Sequence, residues 1–169
     1  MGASLFNEFR NYTNIIIKKT LIFCNLSFVF FLIFALMKKV AVVILNYNGR
    51  TFLEKFLPNV IENSSSVAEI IVADNKSTDD SVEFMKNKFP DIRLILNEFN
   101  GGFATGYNVA LRQINADYYI LLNSDIEVTP HWIEPVIELM ESDETIAACQ
   151  PKILSYYNKT KFEYAGAAG

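Results

Sequence analysis

The chain has 169 residues, 51% of them hydrophobic and 14% aromatic, with a formal net charge of −4. That length supports about one domain burying roughly 70% of its unfolded surface, while 7 Gly, 5 Pro and 2 Cys exclude collagen-like, disordered and disulfide-stapled classes. Residues 37–169 hold 12 basic and 18 acidic side chains, a net charge of −6, which repels a phosphate backbone, so no nucleic-acid partner is expected.

The apolar content is uneven: seven of the 14 Phe fall in the first 37 residues. From Thr20 to Met37 there is no charge, and Lys18–Lys19 and Lys38–Lys39 flank the run. Eighteen helical residues span about 27 Å, at the short end for a membrane crossing. Residues 1–37 therefore read as an N-terminal hydrophobic helix, with 20–37 a possible anchor that holds the following domain at the cytoplasmic face of a membrane. Two alternatives stand beside it. A signal peptide would need a small-x-small cleavage site, which is missing. An upstream extension before a native start at Met37 would leave a cytoplasmic protein. Cys24 in the apolar run and a solitary Cys149 give no disulfide framework and fit a reducing compartment.

From residue 38 the pattern alternates between strands and helices. Val40–Leu45 is a β-branched apolar run suited to a strand buried on both faces. Arg50–Glu62 carries Leu53, Phe56, Leu57 and Val60 at helical spacing, with Pro58 expected to kink it, and Asn63–Ser66 is a polar break. Glu69–Ala73 is a second strand. Ser77 is predicted to cap a second helix, with Asp79 and Asp80 in its first turn and Val82, Met85 and Phe89 as its buried stripe. Ile92–Leu96 is a third strand, and Phe103, Tyr107, Ala110, Leu111 and Ile114 mark a third helix. Tyr118–Leu122 is a fourth strand. Thr129–Pro130 is predicted to open a helix whose stripe is Ile133, Val136, Ile137 and Met140. Ile146–Leu154 and Phe162–Ala165 read as later strands. The order implies an α/β fold with a mostly parallel sheet, in which ligands sit beyond the carboxyl ends of the strands.

Those ends are polar: Asn46-Tyr47-Asn48-Gly49, Asp74-Asn75-Lys76-Ser77, the segment from Asn97 to Gly106 with Gly101, Gly102 and Gly106, and Asn123-Ser124-Asp125. A dinucleotide fold would need G-x-G-x-x-G after the first strand, where only Gly49 stands, and no G-K-[ST] follows a glycine loop. A phosphatase or receiver site would need acids where Asn46 and Asn48 sit. A nucleotidylyltransferase would need a glycine-rich, Arg-containing loop there. Taken residue by residue, Asp74-Asn75 could equally be a turn and helix cap, Asn123–Asp125 an Asx turn, and the glycines only a tight strand–helix connection. His131, the sole histidine, reads as a surface or capping residue.

In this order the segments VAVVILNYNG, EIIVADNKSTDDS, NGGFATGYNVAL and YYILLNSDIEV resemble the family 2 glycosyltransferases of GT-A (Rossmann-like) fold, over residues 38–169 and with a rhamnosyltransferase-like branch in view. The resemblance implies a parallel sheet flanked by helices and inverting transfer of a sugar from a UDP- or dTDP-sugar, with Mg2+ or Mn2+, to a glycan or lipid-linked acceptor in surface polysaccharide synthesis. It implies that Tyr47 packs on the base and Asp74 accepts the ring N–H of uracil or thymine. Asn46, Asn48, Asn75, Ser77, Gly101, Gly102, Asn108, Asn123 and Ser124 join them as the nucleotide-sugar-binding set. Asn108 is placed on the first turn of the third helix. Asp125 stands for the last acid of the family's Asp-x-Asp motif and is the implied metal ligand, while Asn123 replaces the first.

Inversion requires a general base, and the resemblance places it in the acceptor half, beyond Gly169. Residues 38–169 therefore read as the donor-binding half of a transferase, an apparently truncated one. The alternative is a membrane-anchored, catalytically inactive remnant that binds nucleotide-sugar.

Overall fold

The computed structural model describes residues 38–164. The apolar run at 20–37 lies outside them, and among the described residues no helix is long and apolar enough to cross a membrane. Strand β1 (Val40–Asn46) is buried along its whole length. Successive side chains point to opposite faces of a strand, so Val40, Val42 and Ile44 enter one core while Ala41, Val43 and Leu45 enter another. Each fully buried Val or Ile contributes roughly 1.5–3 kcal/mol, which is why the run carries no polar residue until its last position.

β2 (Glu69–Asp74), β3 (Arg93–Leu96) and β4 (Tyr118–Asn123) join β1 in a four-stranded parallel sheet ordered β3-β2-β1-β4. Helix α1 (Arg50–Ser64) runs without interruption through Pro58 and buries Leu53, Phe56, Leu57 and Val60. With Phe84 and Met85 of α2 (Ser81–Lys88) it covers the even-numbered face of β1. The opposite face is covered by Tyr107 and Ala110 of α3 (Gly102–Leu111) and by Ile114 just beyond it. The chain thus steps from β1 to β2 to β3 along one side, then returns beneath the sheet through α3 to add β4 on the other side of β1. The direction of travel reverses between β1 and β4, and in open α/β sheets that point opens a crevice at the carboxyl edge.

Several element boundaries differ from those read in the sequence. Helix α2 starts at Ser81, not Ser77. The N–H group of Ser77 is taken by Asp74 at the end of β2, and those of Thr78 and Asp79 by Asn48 in the loop after β1, so the helical ladder begins only after them. Phe103 belongs to α3 yet lies on its exposed side, 64% accessible. Helix α4 (Glu134–Ser142) begins after a turn at Pro130–His131, with His131 at φ 57°, and uses Pro135 rather than Pro130 in its first turn. That turn lets Val128 and Ile133 both enter the core and lets the Trp132 indole N–H donate to Ser64 Oγ at 3.0 Å. Of the predicted strand Ile146–Leu154 only β5 (Ile153–Leu154) forms, paired antiparallel with β6 (Phe162–Tyr164). Pro151 has no N–H for a ladder, and Ala147–Gln150 are exposed.

Candidate functional site

Asn46 and Asp74 are register partners at the ends of β1 and β2, on the same face as Ile44 and Val72. Both are buried, at 0% and 3% exposure. Burying an amide and a carboxylate is costly unless they are paired: Asn46 Nδ2 donates to Asp74 Oδ2 at 3.1 Å and to Ser77 Oγ at 3.2 Å, while Asn46 Oδ1 accepts from none of the described residues. Asp74 Oδ1 accepts the Ser77 N–H at 2.8 Å. The loop after β1 closes on the same group, the Asn48 N–H donating to Ser77 Oγ at 2.9 Å. Asn48 adopts φ 51°, a left-handed conformation that Asn tolerates better than most residues. Its Oδ1 accepts the N–H groups of Thr78 at 2.7 Å and Asp79 at 3.3 Å. Asp79 in turn accepts the N–H groups of Ser81 and Arg50. Burial works to raise the Asp79 carboxyl, but these hydrogen bonds outweigh it and hold the group below the usual carboxylate range.

Gly49 packs on this cluster. A Cβ added there would lie 2.4 Å from Asn46 Oδ1 and 3.2 Å from Ser124 Oγ, so the glycine lets the β1 loop approach both β1 and the end of β4. Leu45 pairs in register with Asn123, which sets Asn123 and Ser124 beside the end of β1. Asn123 and Asp125 are exposed and Ser124 is half-buried. Tyr47, in the loop after β1, is 50% exposed. On the opposite face of the sheet, the Tyr107 hydroxyl donates to the Leu122 carbonyl at 3.0 Å, and burial pushes its phenol up to about 12.

A second group lies beyond β2 and β3. Asn75 Nδ2 donates to Asn100 Oδ1 at 2.7 Å and to the Gly102 carbonyl at 3.2 Å, while its Oδ1 accepts from Asn97 Nδ2 at 3.1 Å. Asn97 also donates to the Gly106 carbonyl at 3.1 Å. Gly102 takes φ 74°, and a Cβ on Gly106 would stand 2.9 Å from Asn75 Oδ1. Both N–H bonds of the Asn75 carboxamide are therefore spent on holding the glycine loop, with Gly101 at its N-terminal edge.

The structure thus brings Asn46, Asn48, Asp74, Ser77 and Ser124 together at the edge where the strand order reverses, and joins Asn75 to the glycine loop beside them. Asn108 is not on the first turn of its helix. With α3 starting at Gly102, Asn108 is the seventh helical residue, about 9 Å along the axis from the first. Asn97 and Gly49 were not singled out from the sequence. A signal for Asn97 exists in its place as the first polar residue after β3, one residue beyond Leu96, the register partner of Asp74.

Residues 41–166 match the family model described as glycosyl transferase family 2. The chain belongs to that family. A relative named as an uncharacterized glycosyltransferase of Haemophilus influenzae is 27% identical over 112 residues, 64% of this chain and 35% of that protein. Staphylococcus aureus TarS 1–349, solved with UDP-GlcNAc, superposes with a TM-score of 0.53 at 18% identity, covering 69% of this chain and 38% of that one. The mannosyltransferase PcManGT of Pyrobaculum calidifontis, solved with GDP-Man and Mn2+, gives 0.54 at 21% identity, covering 69% and 34%. These structures share the fold of residues 38–164, the GT-A Rossmann-like arrangement. The chain spans about a third of the length of the curated relatives it matches.

At the end of β4, Asn123, Ser124 and Asp125 carry an amide, a hydroxyl and a carboxylate. Among the described residues no group of three or more His, Cys, Asp or Glu side chains could hold a metal ion. One exposed carboxylate beside an amide and a hydroxyl fits a hard divalent cation that keeps waters and draws its other oxygens from a bound diphosphate. It does not fit a cage made by protein alone.

Proposed function

We propose that residues 38–169 bind the nucleotide-sugar donor of an inverting glycosyltransferase. A single observation carries this reading: an amide, a carboxylate and two hydroxyls, from Asn46, Asp74, Ser77 and Ser124, meet at the carboxyl edge where β1 and β4 part. The donor is a UDP- or dTDP-sugar. Asp74 is held as an acceptor by the two donors that already point at it, so it takes the ring N–H of a uracil or thymine and refuses cytosine, whose N3 is an acceptor. Tyr47, half exposed in the loop after β1, offers a stacking face for the base. Gly101 and Gly102, positioned through Asn75, let backbone approach the donor without side chains intervening.

Asp125, with Asn123 and Ser124, is the place for Mg2+ or Mn2+, which when bound neutralises the charge developing on the departing diphosphate. The acceptor is a glycan or a lipid-linked glycan of surface polysaccharide synthesis, and the general base is assigned to none of the described residues. Titration with UDP or dTDP in the presence of Mn2+ tests the reading. Asp125→Ala is expected to weaken Mn2+-dependent binding about tenfold or more, in line with loss of a charge-assisted contact. Binding by the variant equal to wild type, or no binding by the folded wild-type chain, refutes it.

A further inference from the structure

The hydrogen-bond polarity of the Asn46–Asp74–Ser77 group points to Ser77 as a specificity-determining residue that, paired with Asp74, reads the imide edge of the nucleobase. This deepens the donor-binding reading above and rests on it. A serine hydroxyl has one proton to give and two lone pairs with which to accept. Both lone pairs of Ser77 Oγ are engaged, by Asn46 Nδ2 at 3.2 Å and by the Asn48 N–H at 2.9 Å. Among the described residues the hydroxyl donates to no acceptor, and Ser77 is only half-buried. Its proton is therefore left to give to an acceptor outside this group. Asp74, one hydrogen bond away through the Ser77 N–H, has the opposite polarity: each of its oxygens has accepted one protein donor and retains a lone pair.

An acceptor and a donor side by side complement an N–H beside a C=O. Uracil and thymine present that pair at N3–H with O2 or O4. Guanine presents it at N1–H with O6, accompanied by an exocyclic amine. Cytosine and adenine present a bare ring nitrogen where Asp74 needs a proton. Asn46 is the positioning residue of the pair. Its Nδ2 makes Asp74 Oδ2 an acceptor and occupies Ser77 Oγ, so the hydroxyl cannot turn round and accept from the ligand.

The test is calorimetric titration of the full chain with UDP, GDP and CDP, each with Mn2+, and with 2-thio-UDP and 4-thio-UDP, in which one ring carbonyl becomes a poor acceptor. Wild type is expected to prefer UDP to CDP and to lose roughly 3- to 10-fold with one of the two thio analogues, the size of one neutral hydrogen bond. Ser77→Ala is expected to bind UDP that much more weakly and to lose its discrimination against the same analogue, while Ser77→Thr, which keeps the hydroxyl, restores both. The analogue series on wild type reads the contact even where Ser77→Ala loosens the loop. Equal binding of UDP and both thio analogues by wild type, or an undiminished analogue penalty in a folded Ser77→Ala, overturns the Ser77 assignment and leaves the donor reading standing. CDP bound as tightly as UDP overturns the imide pairing. GDP bound more tightly than UDP with the same Ser77 dependence retains the pairing and changes the base. A wild-type chain that binds no nucleoside diphosphate defeats the donor reading itself.

Discussion

Gly49→Ala is the substitution on which the geometry of the crevice makes its sharpest demand. Gly49 has an ordinary negative φ of −109°, so the added methyl carries no backbone penalty and the effect is steric alone. The new Cβ would start 2.4 Å from Asn46 Oδ1, more than half an ångström inside any real contact, and Asn46 is fully buried with nowhere to retreat. Moving its carboxamide breaks the bonds to Asp74 and Ser77, each contributing about 1 kcal/mol, and leaves a buried carboxylate short of a donor. Because that movement relieves part of the 1–3 kcal/mol that overpacking costs, the total is about 2–4 kcal/mol. For a domain of this size that lowers the melting temperature by roughly 6–15 °C. Urea unfolding of wild type, Gly49→Ala, Asn46→Ala and the double variant measures it. In the Asn46→Ala background the methyl meets only Ser124 Oγ at 3.2 Å, a hydroxyl that can give by a few tenths of an ångström, so the second substitution should cost less than about 0.5 kcal/mol. An equal cost in both backgrounds, or a Gly49→Ala chain within 0.5 kcal/mol of wild type, refutes the argument.

Two further outcomes follow from other parts of the molecule. The Tyr107 phenol is raised from 10 to about 12 by burial, so between those values the unfolded chain releases a proton that the folded chain keeps. Stability is thus full below about pH 10 and falls as pH rises toward 12. Tyr107→Phe should flatten that limb while losing about 1 kcal/mol at neutral pH with the bond to Leu122; an unchanged high-pH limb in chemical denaturation would show that the phenol is not the titrating group. Residues 20–37 are expected to hold the full chain in the membrane fraction while a chain starting at Met37 stays in the supernatant, and a full chain recovered in the supernatant refutes the anchor.

Much of this protein is legible in local pattern. Burial on both faces demands an uninterrupted apolar run, so β1 and β2 announce themselves, and the i, i+3, i+4 spacing of Leu53, Phe56 and Leu57 marks α1 before any partner is known. The polar residues that end each strand were visible for the same reason: they begin where burial stops. Boundaries decided by partners were not. Ser77 looks like a helix cap in local pattern, and stands outside the helix because Asn48 and Asp74 take the N–H groups that a helix would have used.

What the chain's own order of residues determined was the set of elements and the edge on which its polar groups would stand, because apolar periodicity records how each segment meets the core. The strand order β3-β2-β1-β4 was settled by tertiary structure, and with it which of those groups would face one another. Asn46 meets Asp74 and Ser77 across separations of 28 and 31 residues. Asn75 turns to the glycine loop across 25. Asn108 is carried nearly two turns down its helix. Hydrogen bonds are short-ranged and directional, so their pairing follows from how the strands are laid side by side and leaves no trace in local pattern.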